Sequence, residues 1–135
     1  MTTMTVPAEL DNLDEVIDFI NGELEANDCP MKTQIQIDIA VEEIFVNIAH
    51  YAYPSQINDA VVGCSFEENP RAVKISFIDT GTPYNPLEKE DPDVTLSVEE
   101  RQVGGLGIYM VKKSMDEVSY EHNDGHNIFH IKKFF

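Results

Sequence analysis

Glu43 and Asn47 stand four positions apart in a stretch that reads as helix, so both side chains leave one face about a turn from each other. A carboxylate there can accept a proton, and an amide carbonyl is a hard oxygen donor of the kind Mg²⁺ takes while it keeps phosphates and waters in its octahedron. The same spacing also suits a solvated polar stripe, and Glu42 next door reads as surface. Asp79 closes the run VKISFID and is followed by Thr80 and Gly81. A carboxylate where a strand opens into a loop can accept a hydrogen bond from an exocyclic amine, and a glycine two positions later lets the backbone approach a flat ring. Asp-Thr-Gly is equally an ordinary turn. Gly104, Gly105, Leu106 and Gly107 open a helix, where backbone N–H groups and the helix N-terminus favour an anion. No Gly-Lys-Ser/Thr follows them and no G-x-G-x-x-G spacing exists, which excludes a Walker A loop and a Rossmann fingerprint.

The elements that must position these residues are legible in the hydrophobic pattern. Thr2 to Val6 is β-prone, and Ala8 to Asn27 places Leu10, Leu13, Val16, Ile17, Ile20 and Leu24 at helical spacing. Asp28, Cys29 and Pro30 end that helix. Thr33 is the expected cap of a second helix reaching about Tyr53, stopped by Pro54. This helix carries Ile35, Ile39, Ile44, Phe45 and Ile48, an arc wide enough that it should lie against a sheet. Ala60 to Phe66 and Ala72 to Ile78 read as a hairpin around Glu67 to Arg71. A loop rich in proline and carboxylates runs from Thr80 to about Val103, and its length suggests a lid. A short helix, Ile108 to Met115, and two strands around the turn Asn123, Asp124, Gly125 complete the chain. Runs of strands flanked by helices without regular alternation predict a two-layer α/β sandwich (α+β) with about three helices and a mostly antiparallel mixed sheet.

The chain has 135 residues, the size of a single domain over 1–135. Nine Lys plus Arg against 25 Asp plus Glu give a net charge of −16, a field that repels polyanions and excludes direct nucleic-acid binding. Hydrophobic residues at 42% suffice for a packed core, so the acidity is not a sign of disorder. No stretch is apolar enough to span a membrane and the N-terminus lacks a leader pattern, so a cytoplasmic location is expected. Cys29 and Cys64 have no close pairing motif and read as reduced structural thiols. His122, His126 and His130 fall on the terminal hairpin and read as surface, with no third ligand for a metal. Lys112 and Lys113 read as a helix face that also offsets phosphate charge.

Taken together, the three polar motifs occur in the order and at the intervals of the Bergerat ATP-binding fold. The stretch AVEEIFVNIAHYAY resembles its N-box, DTGTPYNP its adenine-binding box, and VGGLGIYMVKKSMDEVSY its glycine-rich box with the following helix and strand. Within that superfamily of GHKL, histidine kinase-like ATPases the chain is most similar to the anti-sigma-factor serine/threonine kinases. Pro83, Tyr84 and Pro86 after Asp-x-Gly, with Met115, Asp116, Glu117 and Val118, carry that likeness. The resemblance implies ATP and Mg²⁺ as cofactors, Glu43 as catalytic base, Asn47 as Mg²⁺ ligand, and Asp79 with Gly81 at the adenine. It further implies Gly104, Gly105, Leu106 and Gly107 around the phosphates, and Arg101 as a lid arginine within a lid at about 82–103. One departure is visible: where relatives often carry a histidine ahead of the small residue and tyrosine that close the N-box, this chain has Tyr51, with His50 one position earlier.

The function implied is a serine/threonine protein kinase that phosphorylates a small anti-sigma-factor antagonist and sequesters a sigma factor; a homodimer is compatible with it. The alternative is a non-catalytic nucleotide-binding partner-switching module. A sensor histidine kinase is disfavoured, since no His precedes Asn47 to act as phosphoacceptor. Larger Bergerat relatives need transducer domains beyond this length. On electrostatic grounds alone, a chain of this charge needs a divalent cation to hold a triphosphate.

Overall fold

In a computed structural model the described residues, 1–88 and 106–135, form a five-stranded sheet covered on one face by three helices. The strands are β1 (Thr2–Pro7), β2 (Asp59–Glu67), β3 (Ala72–Asp79), β4 (Glu117–Asn123) and β5 (His126–Phe134), and the helices are α1 (Leu13–Ala26), α2 (Met31–Tyr51) and α3 (Leu106–Ser114). The spatial order is β1-β2-β3-β5-β4, so β5 inserts between β3 and β4. Each described pairing is antiparallel, where the sequence left room for a mixed sheet. The expected two-layer sandwich is otherwise the observed one.

Register explains how the sheet builds both a core and a site. Cys64, Ile75 and Ile131 stand opposite one another across β2, β3 and β5, and the next row is Val62, Phe77 and Phe129. These inward residues pack against Val16, Ile20 and Leu24 of α1, Ile37, Val41 and Phe45 of α2, and Val111 of α3, all buried. The following row on the same face is Ala60, Asp79 and Asn127. Two polar side chains therefore occupy the core face at the end of the sheet, because alternation along each strand leaves them no other side.

Helix α1 starts at Leu13, five residues after the expected Ala8, and the other helix boundaries differ from the sequence reading by a turn or less. Leu10–Asn12 is a separate 3-10 turn ahead of α1. Helix α2 starts at Met31, with Pro30 rather than Thr33 at the N-cap position. Proline's fixed φ fits a helix entry, and buried Gln34 secures it by donating from Nε2 to the Cys29 carbonyl at 3.0 Å. A larger difference concerns Ile35 and Ile39. They are exposed, because α2 lies between α1 and α3 and only its opposite arc, with Ile37, Ala40, Val41, Ile44 and Phe45, meets the sheet. The closing hairpin turns at Asp124 and Gly125 with φ of 54° and 77°, the left-handed pair that a two-residue turn requires. No helix among the described residues is long and apolar enough to cross a membrane.

Both cysteines are free and buried. Burial, with the Glu23 carboxylate adding to it, pushes the Cys64 thiol from 9.0 up to about 12. Between those values the folded chain retains a proton that the unfolded chain releases, so the Cys64 contribution to stability is intact below pH 9.0 and declines as pH rises toward 12. Urea unfolding followed from about pH 8 to about pH 10.5 should therefore show the wild type losing more stability than Cys64→Ala. Equal losses would show that the thiol ionises as freely in the folded chain as in the unfolded one.

Candidate functional site

The sheet face stays apolar up to Phe77 and Phe129, and the covering side chains stop there. An open cleft of about 480 Å³ follows, between the C-terminal part of α2, the start of α3 and the ends of β3 and β5. Phe77, Phe129, Ile44 and Ile108 give it an apolar floor. Asn47, Asp79 and Asn127 are among its polar lining, and Tyr51 and Tyr84 flank it with ring centroids 6.4 Å apart.

Asp79 is 6% exposed, and both hydrogen bonds to its carboxylate fall on Oδ1. Gly81 N–H donates at 2.9 Å and Asn127 Nδ2 donates at 2.9 Å. Oδ2 accepts none from the described residues, and no cation among them pairs with the carboxylate. A flat heterocycle with an exocyclic N–H fits such a place, with an apolar surface for its face and one acceptor for its edge.

Asn127 is the residue that sequence reading missed. It is buried, and its Nδ2 also reaches the Gly81 and Thr82 carbonyls at 3.2 Å each, while the Tyr120 hydroxyl donates to its Oδ1. With both ends of the amide engaged, its orientation is fixed, and it ties the 79–82 segment to β5. The only signal in sequence was an Asn inside an alternating apolar strand, which a hairpin position next to Gly125 easily masks.

Gly81 also answers to a packing demand of the fold. Thr82 N–H donates to the Ala52 carbonyl at 2.8 Å, pulling the segment onto the end of α2, and a Cβ on Gly81 would overlap that carbonyl. Tyr53 makes the same connection from α2's side: its hydroxyl donates to the Asp59 carbonyl at 2.8 Å and accepts from Thr80 N–H at 2.9 Å. The close approach is thus to helix backbone.

Glu43 and Asn47 share a face of α2 as expected, yet they meet different surroundings. Asn47 lines the cleft, and its side chain has no hydrogen-bond partner among the described residues. Glu43 lies against the first turn of α3, where a Cβ on Gly107 would stand 2.9 Å from its Cδ and overlap its carboxylate. Gly107 therefore gives the carboxylate room at a helix N-terminus, where negative charge is favoured. Glu42 is exposed, as expected. Leu106 opens α3. Arg101, Gly104, Gly105 and the lid from 89 onward lie outside the described residues. No group of three or more His, Cys, Asp or Glu able to hold a metal occurs among those described. A divalent cation here would have few protein ligands, and the unengaged Asn47 carbonyl suits one that takes most of its ligands from phosphates and water. His130 is engaged elsewhere, accepting or donating between Ser76 Oγ at 2.7 Å and Glu121 Oε1 at 3.3 Å on the far face of the sheet.

Asn127→Ala should lower stability by about 1–3 kcal/mol, because it removes one of the two donors to Asp79 Oδ1 and the side-chain donor shared by the Gly81 and Thr82 carbonyls. Denaturant unfolding of Asn127→Ala beside Asn127→Asp checks it, and a change under about 0.5 kcal/mol in the alanine variant would show that the amide clamps nothing.

A profile of the histidine kinase-like ATPase domain matches residues 6–133. Among similar proteins, the serine/threonine-protein kinase BtrW of Bordetella bronchiseptica is 24% identical over 71% of this chain and 67% of its own length. The serine-protein kinase RsbW of Bacillus thuringiensis is 24% identical over 70% of this chain and 60% of its own, and that of Bacillus anthracis 26% over the same shares. The chain thus spans about 60–67% of the length of these relatives. Of solved structures, a chain of the SiaB–SiaC complex from Pseudomonas aeruginosa superposes with a TM-score of 0.59 at 16% identity, covering 100% of this chain and 90% of that one, which shows a shared fold. The family match over nearly the whole sequence agrees with the cleft's architecture: the chain belongs to the histidine kinase-like ATPase domain family.

Proposed function

We propose that the protein is an ATP-dependent serine/threonine kinase of the anti-sigma type, which phosphorylates a small anti-sigma-factor antagonist and sequesters a sigma factor. The observation that carries this reading is the convergence in one cleft of Asp79, a buried carboxylate with a free acceptor oxygen, and an unengaged Asn47, with Glu43 one turn away on α2 against the first turn of α3. The names of the relatives agree with it, and a chain of the same fold comes from a complex of two proteins. In this reading residues 1–135 work as one unit in the cytoplasm, with 82–103 as the lid.

Asp79 Oδ2 reads the exocyclic amine of adenine, and Phe77 and Phe129 lie under the ring. In this reading the backbone N–H groups of Gly104, Gly105, Leu106 and Gly107 would hold the phosphates, with Arg101 as the lid arginine. Mg²⁺, held by Asn47 Oδ1, phosphate oxygens and water, would supply the charge that lets a triphosphate approach a chain of −16. Glu43 takes the proton of the antagonist's Ser or Thr hydroxyl as its oxygen bonds to the γ-phosphorus and the bond to the β,γ-bridging oxygen breaks, leaving ADP. Movement of the Glu43 carboxylate off the α3 N-terminus frees that anion site for a phosphate.

Calorimetric titration tests the site. ATP should bind in Mg²⁺ and weaken sharply in EDTA, and GTP, with an oxo group in place of the amine, should not bind. Asn47→Ala should remove the Mg²⁺ dependence, and Asp79→Asn should weaken binding about tenfold or more. Glu43→Gln should keep binding yet lower phosphate transfer to a Ser-bearing antagonist by about 10²-fold or more. Binding without any transfer in the wild type would favour the non-catalytic partner-switching module instead; no binding in any condition would remove the nucleotide site.

A further inference from the structure

Helix α2 carries an apolar ridge that none of the described residues covers. Met31, Ile35 and Ile39 are 64%, 52% and 49% exposed, although α1 and α3 pack on either side of the same helix. The three lie at i, i+4 and i+8, the row that forms the ridge in helix-on-helix packing. Three large exposed side chains in one such row are unlike the scattered single hydrophobes of an ordinary surface. Their burial would complete the wide apolar arc that the sequence of α2 carries.

The surrounding charge specifies the occupant. Residues 13–51, which span α1 and α2, hold nine Asp or Glu and one cation, Lys32, a net −8 out of the −16 of the whole chain. Glu42, three positions after Ile39 on α2 and so beside it, is exposed, as are Asp14, Asp18 and Glu25 of α1. A second copy of the chain would bring the same −8 face against this one, and anionic lipid or nucleic acid would be repelled likewise. An apolar seam flanked by lysine or arginine is complementary on both counts.

We propose that the Met31–Ile35–Ile39 ridge docks an amphipathic helix of a partner protein, apolar on one face and basic along its edges. This goes beyond the nucleotide site and does not rest on it, since the ridge lies on the outer arc of α2 and none of its residues lines the cleft.

The test uses a synthetic 18-residue helix with a leucine face flanked by lysines, its counterpart with glutamates in place of the lysines, and NMR shift mapping on the full chain. The lysine peptide should shift the resonances of Met31, Ile35 and Ile39, and the glutamate peptide should not bind. Ile35→Ser with Ile39→Ser should weaken binding about tenfold or more while leaving ATP titration unchanged. Ile35→Gln alone, with circular dichroism to confirm folding, gives an intermediate loss if the double variant is unstable. Equal binding by the variants, or shifts confined to other acidic surface, would overturn the proposal. So would a wild-type dimer in sedimentation that the double variant dissolves, which would give the ridge to a second copy, or binding to phosphatidylcholine vesicles lost in the variant, which would give it to a membrane.

Discussion

A carboxylate placed on the core face of a sheet has to be satisfied or it destabilises the fold, and in this protein the arrangement around Asp79 follows from that constraint. Its Oδ1 takes two donors, one from the cross-strand Asn127 and one from Gly81 two residues on. The first bond locks β3 to β5 at their ends, and the second bends the chain back on itself. The bend delivers Thr82 to the end of α2, which is why the position between has no room for a Cβ. The remaining carboxylate oxygen is left toward a floor of Phe77 and Phe129. One polar residue out of register with its apolar neighbours thereby shapes the cleft, ties helix to sheet and provides an acceptor.

Helix α2 carries three duties on three arcs. Its sheet-facing arc supplies Ile37, Val41 and Phe45 to the core. The edge toward α3 carries Glu43 and Asn47, so the rigidity of the packed arc transmits to their positions. The outer arc carries the ridge. A helix this committed cannot shift to accommodate a ligand without disturbing the core. Gly107 is where α3 meets that edge, because it admits the Glu43 carboxylate where any side chain would exclude it.

The fold was legible because its signals are periodic. Val16, Ile20 and Leu24, and the alternation of Val73, Ile75 and Phe77, each repeat a pattern that only one geometry satisfies. The pairing of Glu43 with Asn47 and the terminal position of Asp79 were legible for the same reason. What stayed hidden depends on neighbours remote in sequence. Asn127 is 48 residues from Asp79, and nothing local distinguishes a clamp from a turn-flanking polar residue. Periodicity likewise could not tell which part of α2's apolar circumference the sheet would take: Ile35 and Ile39 were expected inside because hydrophobicity alone suggested it, whereas α1 and α3 claim the flanks and leave those two outside. The role of Gly81 was similar, since a glycine reports that something comes close without naming what.

Charge connects these observations. A core of ordinary apolar content holds a chain with 25 carboxylates against nine cations, and half of the excess lies within residues 13–51, from the start of α1 to the end of α2. Strand cations such as Lys132, paired with Glu67 at 2.6 Å and Glu117 at 3.6 Å, are spent within the sheet's open face and do nothing for the helices. Like charge spread over one layer opposes compaction and is tolerated only where another interaction outweighs it. For a polyphosphate bound in the cleft as proposed, a divalent cation would be that counterweight. For the helical layer it is a cationic protein surface, whose approach would relieve the repulsion and cover Met31, Ile35 and Ile39 in the same step.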